Sequence, residues 1–284
     1  MIKQLRLLHI HPLFWVMAGT AVFTGFFYEI MLLFLIILLH ELGHAAAALH
    51  YQWRVKQIAL LPFGGMMETE EHGNRPVREE VMVTIAGPLV HLPLIALSFL
   101  MLDTSFWNHA DHSLFLHYNI TIFCFNLLPV WPLDGGKLLF CLLSARLPFY
   151  KAQKRMWFIS CTVLITAVVG LCLYLPFHVQ AWLIVLFFIV LHYTEWKQHP
   201  YSFFRFLMDK TANPLQPAPC LKKSISWHNR PVDAAKWIGR HGTTSFFIIE
   251  NGQTLPESYI LETITEKRLG MKPLKELLSH HGKD

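Results

Sequence analysis

Long stretches of this chain carry no charge. No Asp, Glu, Lys or Arg occurs from Ile30 to Leu39, from Val81 to Leu102 or from Met156 to Tyr193. A helix that crosses a bilayer needs about 20 mainly apolar residues, and the pattern predicts six spans. They are His11–Phe27, Ile30–Tyr51, Val81–Leu102, Leu114–Gly136, Met156–Leu175 and Val179–Tyr193. Lys3 and Arg6 ahead of the first span look like the basic start of a signal peptide. No small-residue cleavage site follows, and a second apolar run comes after only Tyr28 and Glu29, so a retained hairpin is expected.

The pattern changes after residue 196. Pro200, Pro214, Pro217 and Pro219 punctuate a polar, basic stretch that reads as a linker over 197–222. Beyond it, Pro231–Arg240 has helical spacing, and Ser245–Glu250 is β-rich and closed by the turn signal Asn251-Gly252. Glu257–Thr265 is expected as a strand and Pro273–Ser279 as a helix. The chain therefore reads as a polytopic α-helical membrane domain, residues 1–196, with a small α/β domain over 223–284.

Composition agrees. Of 284 residues, 54% are hydrophobic and 15% charged, with a mean hydropathy of +0.38. A soluble domain has about 25% charged residues, so a soluble enzyme and a disordered chain are both excluded. Charge also fixes the orientation. Eleven of the 24 Lys and Arg precede Tyr193, at the N-terminus and in the 51–80 and 137–155 connections, and thirteen follow it. The alternate connections, near Glu29, at 103–113 and at Pro176–His178, contain none. Under the positive-inside rule both termini are cytoplasmic. The net charge of +5 is accounted for by these loops, and no direct nucleic-acid partner is expected. Five cysteines without a C-x-x-C pair give no disulfide framework and no thiolate metal site.

The second span contains His40-Glu41-Leu42-Gly43-His44. Histidines at i and i+4 project from one helix face, where two imidazoles can share a tetrahedral zinc, and the intervening Glu is placed to act as general base. Ten apolar residues precede the motif and five follow it. A carboxylate at such depth costs about 2.5–3.5 kcal/mol on insertion scales, which a purely structural helix has no reason to bear. A third protein ligand is required. Asp134 is a candidate, within Asn126-Leu127-Leu128-Pro129-Val130-Trp131-Pro132-Leu133-Asp134-Gly135-Gly136. This run cannot remain a regular helix, and a break at Pro129 and Pro132 would bring Asp134 toward the depth of His44. The alternative is a helix-end cap for the segment that starts at Lys137.

H-E-x-x-H in an early span and N-x-x-P-x-x-x-x-D-G in a later one resemble the paired signature of the site-2 protease family of intramembrane zinc metalloproteases. Further matching stretches are His9–Trp15, Leu60–Gly65, Glu70–Pro76, Ala86–Leu89 and Asn126–Leu139. They are similar to the sporulation branch, which processes pro-sigma-K in endospore-forming bacteria. The resemblance implies zinc held by His40, His44 and Asp134, with Glu41 as the catalytic base. It also implies Asn126 and Pro129 on the substrate side, and a membrane-dipping hairpin at Pro62, Phe63, Gly64 and Gly65 that pairs with an extended substrate. An interhelical hydrogen bond is the other reading of Asn126, and an ordinary interfacial loop that of the hairpin. Implied partners are a pro-sigma-K-type substrate, membrane inhibitory or regulatory proteins of sporulation and the lipid bilayer. The implied location is the mother-cell membrane around the forespore.

The 223–284 domain resembles a single cystathionine-β-synthase-type (CBS) motif. Such motifs usually work in pairs and often bind adenosine nucleotides, which implies a homo-oligomer and ATP; a plain docking domain is the other reading. His72, His91, His109, His112, His117, His178 and His192 show no repeated ligand spacing and read as loop or core residues. Two other function classes use the same His/Asp site: a divalent-metal transporter, and a catalytically silent membrane-binding module.

Overall fold

A computed structural model describes residues 8–10, 12–61, 64–69, 75–102, 104–212, 220–267 and 269–281. Two compact units emerge. The first comprises Met1–Glu71, Arg75–Leu138 and Val163–Phe188, and the second His72–Asn74, Leu139–Thr162 and Ile189–Asp284.

In the first unit, strand β1 (Leu8–Ile10) leads into helix α1 (Pro12–Thr24). Gly25, at φ +83°, turns the chain into α2 (Phe27–His50), so the first two predicted spans form two successive helices. Strands β2 (Val55–Leu61) and β3 (Gly64–Thr69) follow as an antiparallel pair, and β1 lies parallel to β2 on its other side. The sheet order β1-β2-β3 leaves β3 on an edge. Helix α3 (Val77–Leu100) packs along α2, and α4 (His109–Asn126) completes the helical layer. Asn108 caps α4: its Oδ1 accepts from the Asp111 N–H at 2.9 Å.

The fourth predicted span does not run to Gly136 as one helix. Helix α4 ends at Asn126, and α5 (Asp134–Arg146) starts afresh. Pro129 and Pro132 supply no N–H to an i–4 carbonyl. The connecting residues instead use tight bonds, Val130 N–H to Leu128 O at 2.7 Å and Leu133 N–H to Val130 O at 2.8 Å. Added Cβ atoms on Gly135 and Gly136 would overlap the carbonyls of Leu127 and Val130. The paired glycines therefore let the 127–133 backbone lie against the start of α5.

Helices α2, α3 and α6 (Phe149–Tyr174) are long and apolar enough to cross a membrane, at mean hydropathies of 2.0, 1.9 and 2.3. Only 11% of the apolar stretch of α6 is buried inside the protein. Phe158 is 69% exposed and Leu173 71%, an apolar exterior suited to lipid rather than water.

In the second unit, α7 (Val179–Ala212) contributes its later half. Residues 197–212, expected in a linker, are helical through Pro200. Strand β4 (Cys220–Ile225), whose first residues were also given to the linker, runs parallel to β5 (Thr243–Ile248), and β6 (Thr254–Leu255) pairs antiparallel with β5. Helix α8 covers Pro231–Ala235, shorter than the spacing suggested. The chain then tightens into i→i+3 bonds at Trp237 and Ile238.

Glu257–Thr265 is helix α9 rather than a strand. Its alternating Tyr259, Leu261, Thr263 and Thr265 fit a period of two. Burial of Ile260, Leu261 and Ile264 on one helical face decides otherwise, and Thr263 and Thr265 donate back to Tyr259 O and Leu261 O. Helix α10 (Leu274–His281) ends the described chain. The unit's core joins Phe149, Phe203, Phe206 and Leu207 to Ile225, Ile238, Phe246, Ile248 and Ile260.

Candidate metal centre

The candidate metal donors come from two elements of the first unit. His40 and His44 lie one turn apart on α2 with their Nε2 atoms 3.1 Å from each other. Asp134, the first residue of α5, places Oδ2 3.0 Å from His40 Nε2 and 3.1 Å from His44 Nε2. All three side chains are buried. Donors of a tetrahedral zinc bound at 2.0–2.1 Å stand about 3.3–3.4 Å apart, close to the triangle seen here.

The proton inventory supports the same fit. His44 Nδ1 is 2.8 Å from Val83 O. A carbonyl only accepts, so Nδ1 carries the hydrogen, and the neutral ring then has its Nε2 lone pair on the side of Asp134, available to a metal. His40, His44 and Asp134 thus have the chemistry to hold zinc. Asp134 sits in the first turn of α5, where the helix dipole favours an anion. Its Oδ1 accepts from Lys137 Nζ at 3.3 Å.

Glu41 is also buried and offers a carboxylate oxygen within 4.8 Å of the histidine ring nitrogens. The direct contacts make Asp134, rather than Glu41, the candidate third donor, with Glu41 beside the site. Two glycines make room. A Cβ on Gly65 of β3 would overlap Glu41 Cγ, and one on Gly87 of α3 would overlap the His44 ring. The edge strand β3 therefore passes directly against the carboxylate.

The remaining predicted residues fall differently. Asn126 donates from Nδ2 to Ile122 O at 3.1 Å, a bond within α4 rather than between helices. Pro129 lies half-buried in the bend between α4 and α5. Gly64 and Gly65 begin β3, paired with Leu61 and Leu60, while Pro62 and Phe63 lie outside the described residues.

His91, expected as a loop or core residue, is fully buried and lies against the candidate site. His91 Nε2 is 3.1 Å from His40 Nδ1, and its Nδ1 is 2.9 Å from Asn119 Oδ1. A signal was present in the sequence: His91 follows Gly87 by one helical turn, so it shares the α3 face that meets His44.

The family model for peptidase family M50 matches residues 28–111 and 107–168. Stage IV sporulation protein FB of Bacillus subtilis is 42% identical over 203 residues, 72% of this chain and 70% of that protein. A zinc metalloprotease of Methanocaldococcus jannaschii is 34% identical over 128 residues, 44% of this chain and 37% of that protein. The solved structure of a site-2 protease from Methanocaldococcus jannaschii superposes with a TM-score of 0.53 at 27% identity, covering 66% of this chain and 89% of the other. The matched residues contain each of the donors and neighbours described above, and the chain belongs to peptidase family M50, the site-2 proteases, as a membrane zinc metalloprotease.

Proposed function

We propose that this protein cleaves a membrane-associated proprotein within or near the bilayer, and that it removes the N-terminal pro-sequence of a pro-sigma-K-type sigma factor. The convergence of His40, His44 and Asp134 beside Glu41, on apolar helices, carries the catalytic part of this reading. Similarity to stage IV sporulation protein FB supports the sporulation setting, and the substrate, membrane regulators and mother-cell membrane are what the family resemblance implies.

Zinc, when bound, supplies Lewis acidity toward water and the scissile carbonyl. The chain's own residues do the rest. Glu41 takes a proton from the attacking water and passes it to the departing amine nitrogen. Its buried setting beside Gly65 fixes its direction. A helical substrate hides its peptide bonds, whereas an extended one can add beside the edge strand β3, next to Glu41. Asn126 and Pro129 are proposed to contact the substrate from the bend. A divalent-metal transporter has no need of a carboxylate beside a complete donor set, and Glu41 favours the protease.

Six spans are proposed, on the alternation of Lys and Arg among the connections. The strand, helix, strand, strand, helix order of β4, α8, β5, β6 and α9 supports a CBS-type motif that pairs with a second copy. A cavity of about 450 Å³ in the same unit, lined by Lys210, Thr243, Thr244, Ser245 and Thr254, is the proposed ATP site.

The test is co-expression with a tagged pro-sigma-K-type substrate. Wild type should process it, and Glu41→Gln should lose about 10²- to 10⁴-fold in rate while keeping its zinc. Equal processing by both would remove Glu41 from the mechanism. Processing by neither, with zinc present, would remove the assigned substrate.

A further inference from the structure

We propose that one face of α3 sets the proton positions of both metal-holding histidines, and that His91 and Asn119 are positioning residues for His40. The inference rests on His40 and His44 being metal ligands. Val83, Gly87 and His91 recur at i, i+4 and i+8 and therefore line a single face of α3. Val83 O receives the His44 Nδ1–H, Gly87 leaves space for the His44 ring, and His91 meets His40.

The direction of the His40 bond follows from its far end. Asn119 Nδ2 donates to Phe115 O at 2.8 Å, which leaves Oδ1 to face His91 Nδ1. An amide oxygen only accepts, so His91 Nδ1 carries the hydrogen and neutral His91 offers a lone pair at Nε2. His40 Nδ1–H donates into that lone pair, and the His40 Nε2 lone pair is left for the metal. The reverse relay would turn Asn119 over and set its oxygen against Phe115 O at hydrogen-bond distance, two acceptors face to face. His91 and Asn119 are both fully buried, so water cannot substitute for either partner. Without the relay, His40 can put its proton on Nε2 and lose the donor, or rotate.

An acceptor facing His40 is the requirement, which separates this role from mere filling of space. In detergent-purified full-length protein, cobalt(II) binding is read by visible absorption and by competition with a chelator. His91→Leu should weaken binding by about 10- to 100-fold, as loss of partners to metal-bound histidine does. His91→Gln, of similar size but with an amide oxygen that can accept from His40, should stay within about threefold of wild type, because it restores that partner. Asn119→Leu, which frees His91 to present either nitrogen, should fall between the two and serves where His91→Leu does not fold. His44→Ala removes a proposed ligand and should abolish the four-coordinate spectrum. Unchanged binding in His44→Ala would overturn the metal-ligand reading itself. With that control behaving as expected, wild-type affinity in His91→Leu and Asn119→Leu, or a His91→Gln variant as weak as His91→Leu, would overturn the relay.

Discussion

Gly65 controls the position of Glu41 through what it lacks. A methyl group there would occupy the space of the Glu41 side chain, and either the carboxylate or β3 must move. Catalytic geometry is sensitive at this scale, since a displacement of about 1 Å can cost 10²-fold in rate. Gly65→Ala should therefore slow processing about 10- to 100-fold while zinc content, measured by elemental analysis, stays at wild type. Loss of zinc together with activity would show that β3 supports the donors rather than the base. The candidate site is unevenly legible in the sequence. His40, Glu41 and His44 stand out because a buried carboxylate between two histidines has no cheap structural use. Asp134 showed through the prolines and glycines that break its helix. His91 did not, because a lone neutral histidine in an apolar run looks like packing until the opposite helix face is known.

At the scale of elements, α7 shows why prolines misled. Pro200 inside a helix costs about 3 kcal/mol. Beyond it, Phe203, Phe206 and Leu207 are buried in the core of the second unit, each at about 1.5–3 kcal/mol. Burial outweighs the break, but only a structure shows what those side chains meet. Glu257–Thr265 departs from the expected strand for a related reason: the sequence carries both periods, and the partner surface selects the helical one. One ion pair ties α7 to this unit. Lys210 Nζ lies 2.7 Å from Glu257 Oε1 and also donates to Gly239 O at 2.7 Å, while Glu257 Oε2 accepts the Thr244 N–H. Both partners are buried. Removing one leaves a buried charge uncompensated, at about 3–5 kcal/mol. Lys210→Met should lower the opening free energy of the β5 amides by that amount in hydrogen exchange on the full chain. Lys210→Met with Glu257→Leu should recover most of it. A change under about 1 kcal/mol in the single variant would mean that the pair is solvated and structurally idle.

For the whole molecule, hydropathy and charge carry different parts of the topology. Hydropathy alone identifies α2, α3 and α6 as long enough to span. Helix α1 has only 13 residues, and the apolar first part of α7 continues without interruption into a polar helix. Charge supports the three further spans proposed above. If Lys and Arg mark the cytoplasmic side, the connections around Glu29, Phe106 and Phe177 face outward, and those around Trp53 and Arg146 face inward with the C-terminus. The β2–β3 edge, reached from the 51–80 connection, then opens to the side on which a soluble sigma factor is made. Alkaline phosphatase fused after Glu29, Phe106 or Phe177 should be active, and fusions after Trp53, Arg146 or Ala212 should be inactive, because the positive-inside bias puts those positions in the cytoplasm. Fluorescent-protein fusions should give the inverse pattern. Activity after Trp53 with none after Glu29 would reverse the first hairpin, put Gly65 and its strand edge on the outer face, and remove the cytoplasmic route by which a pro-sigma-K-type substrate would reach Glu41.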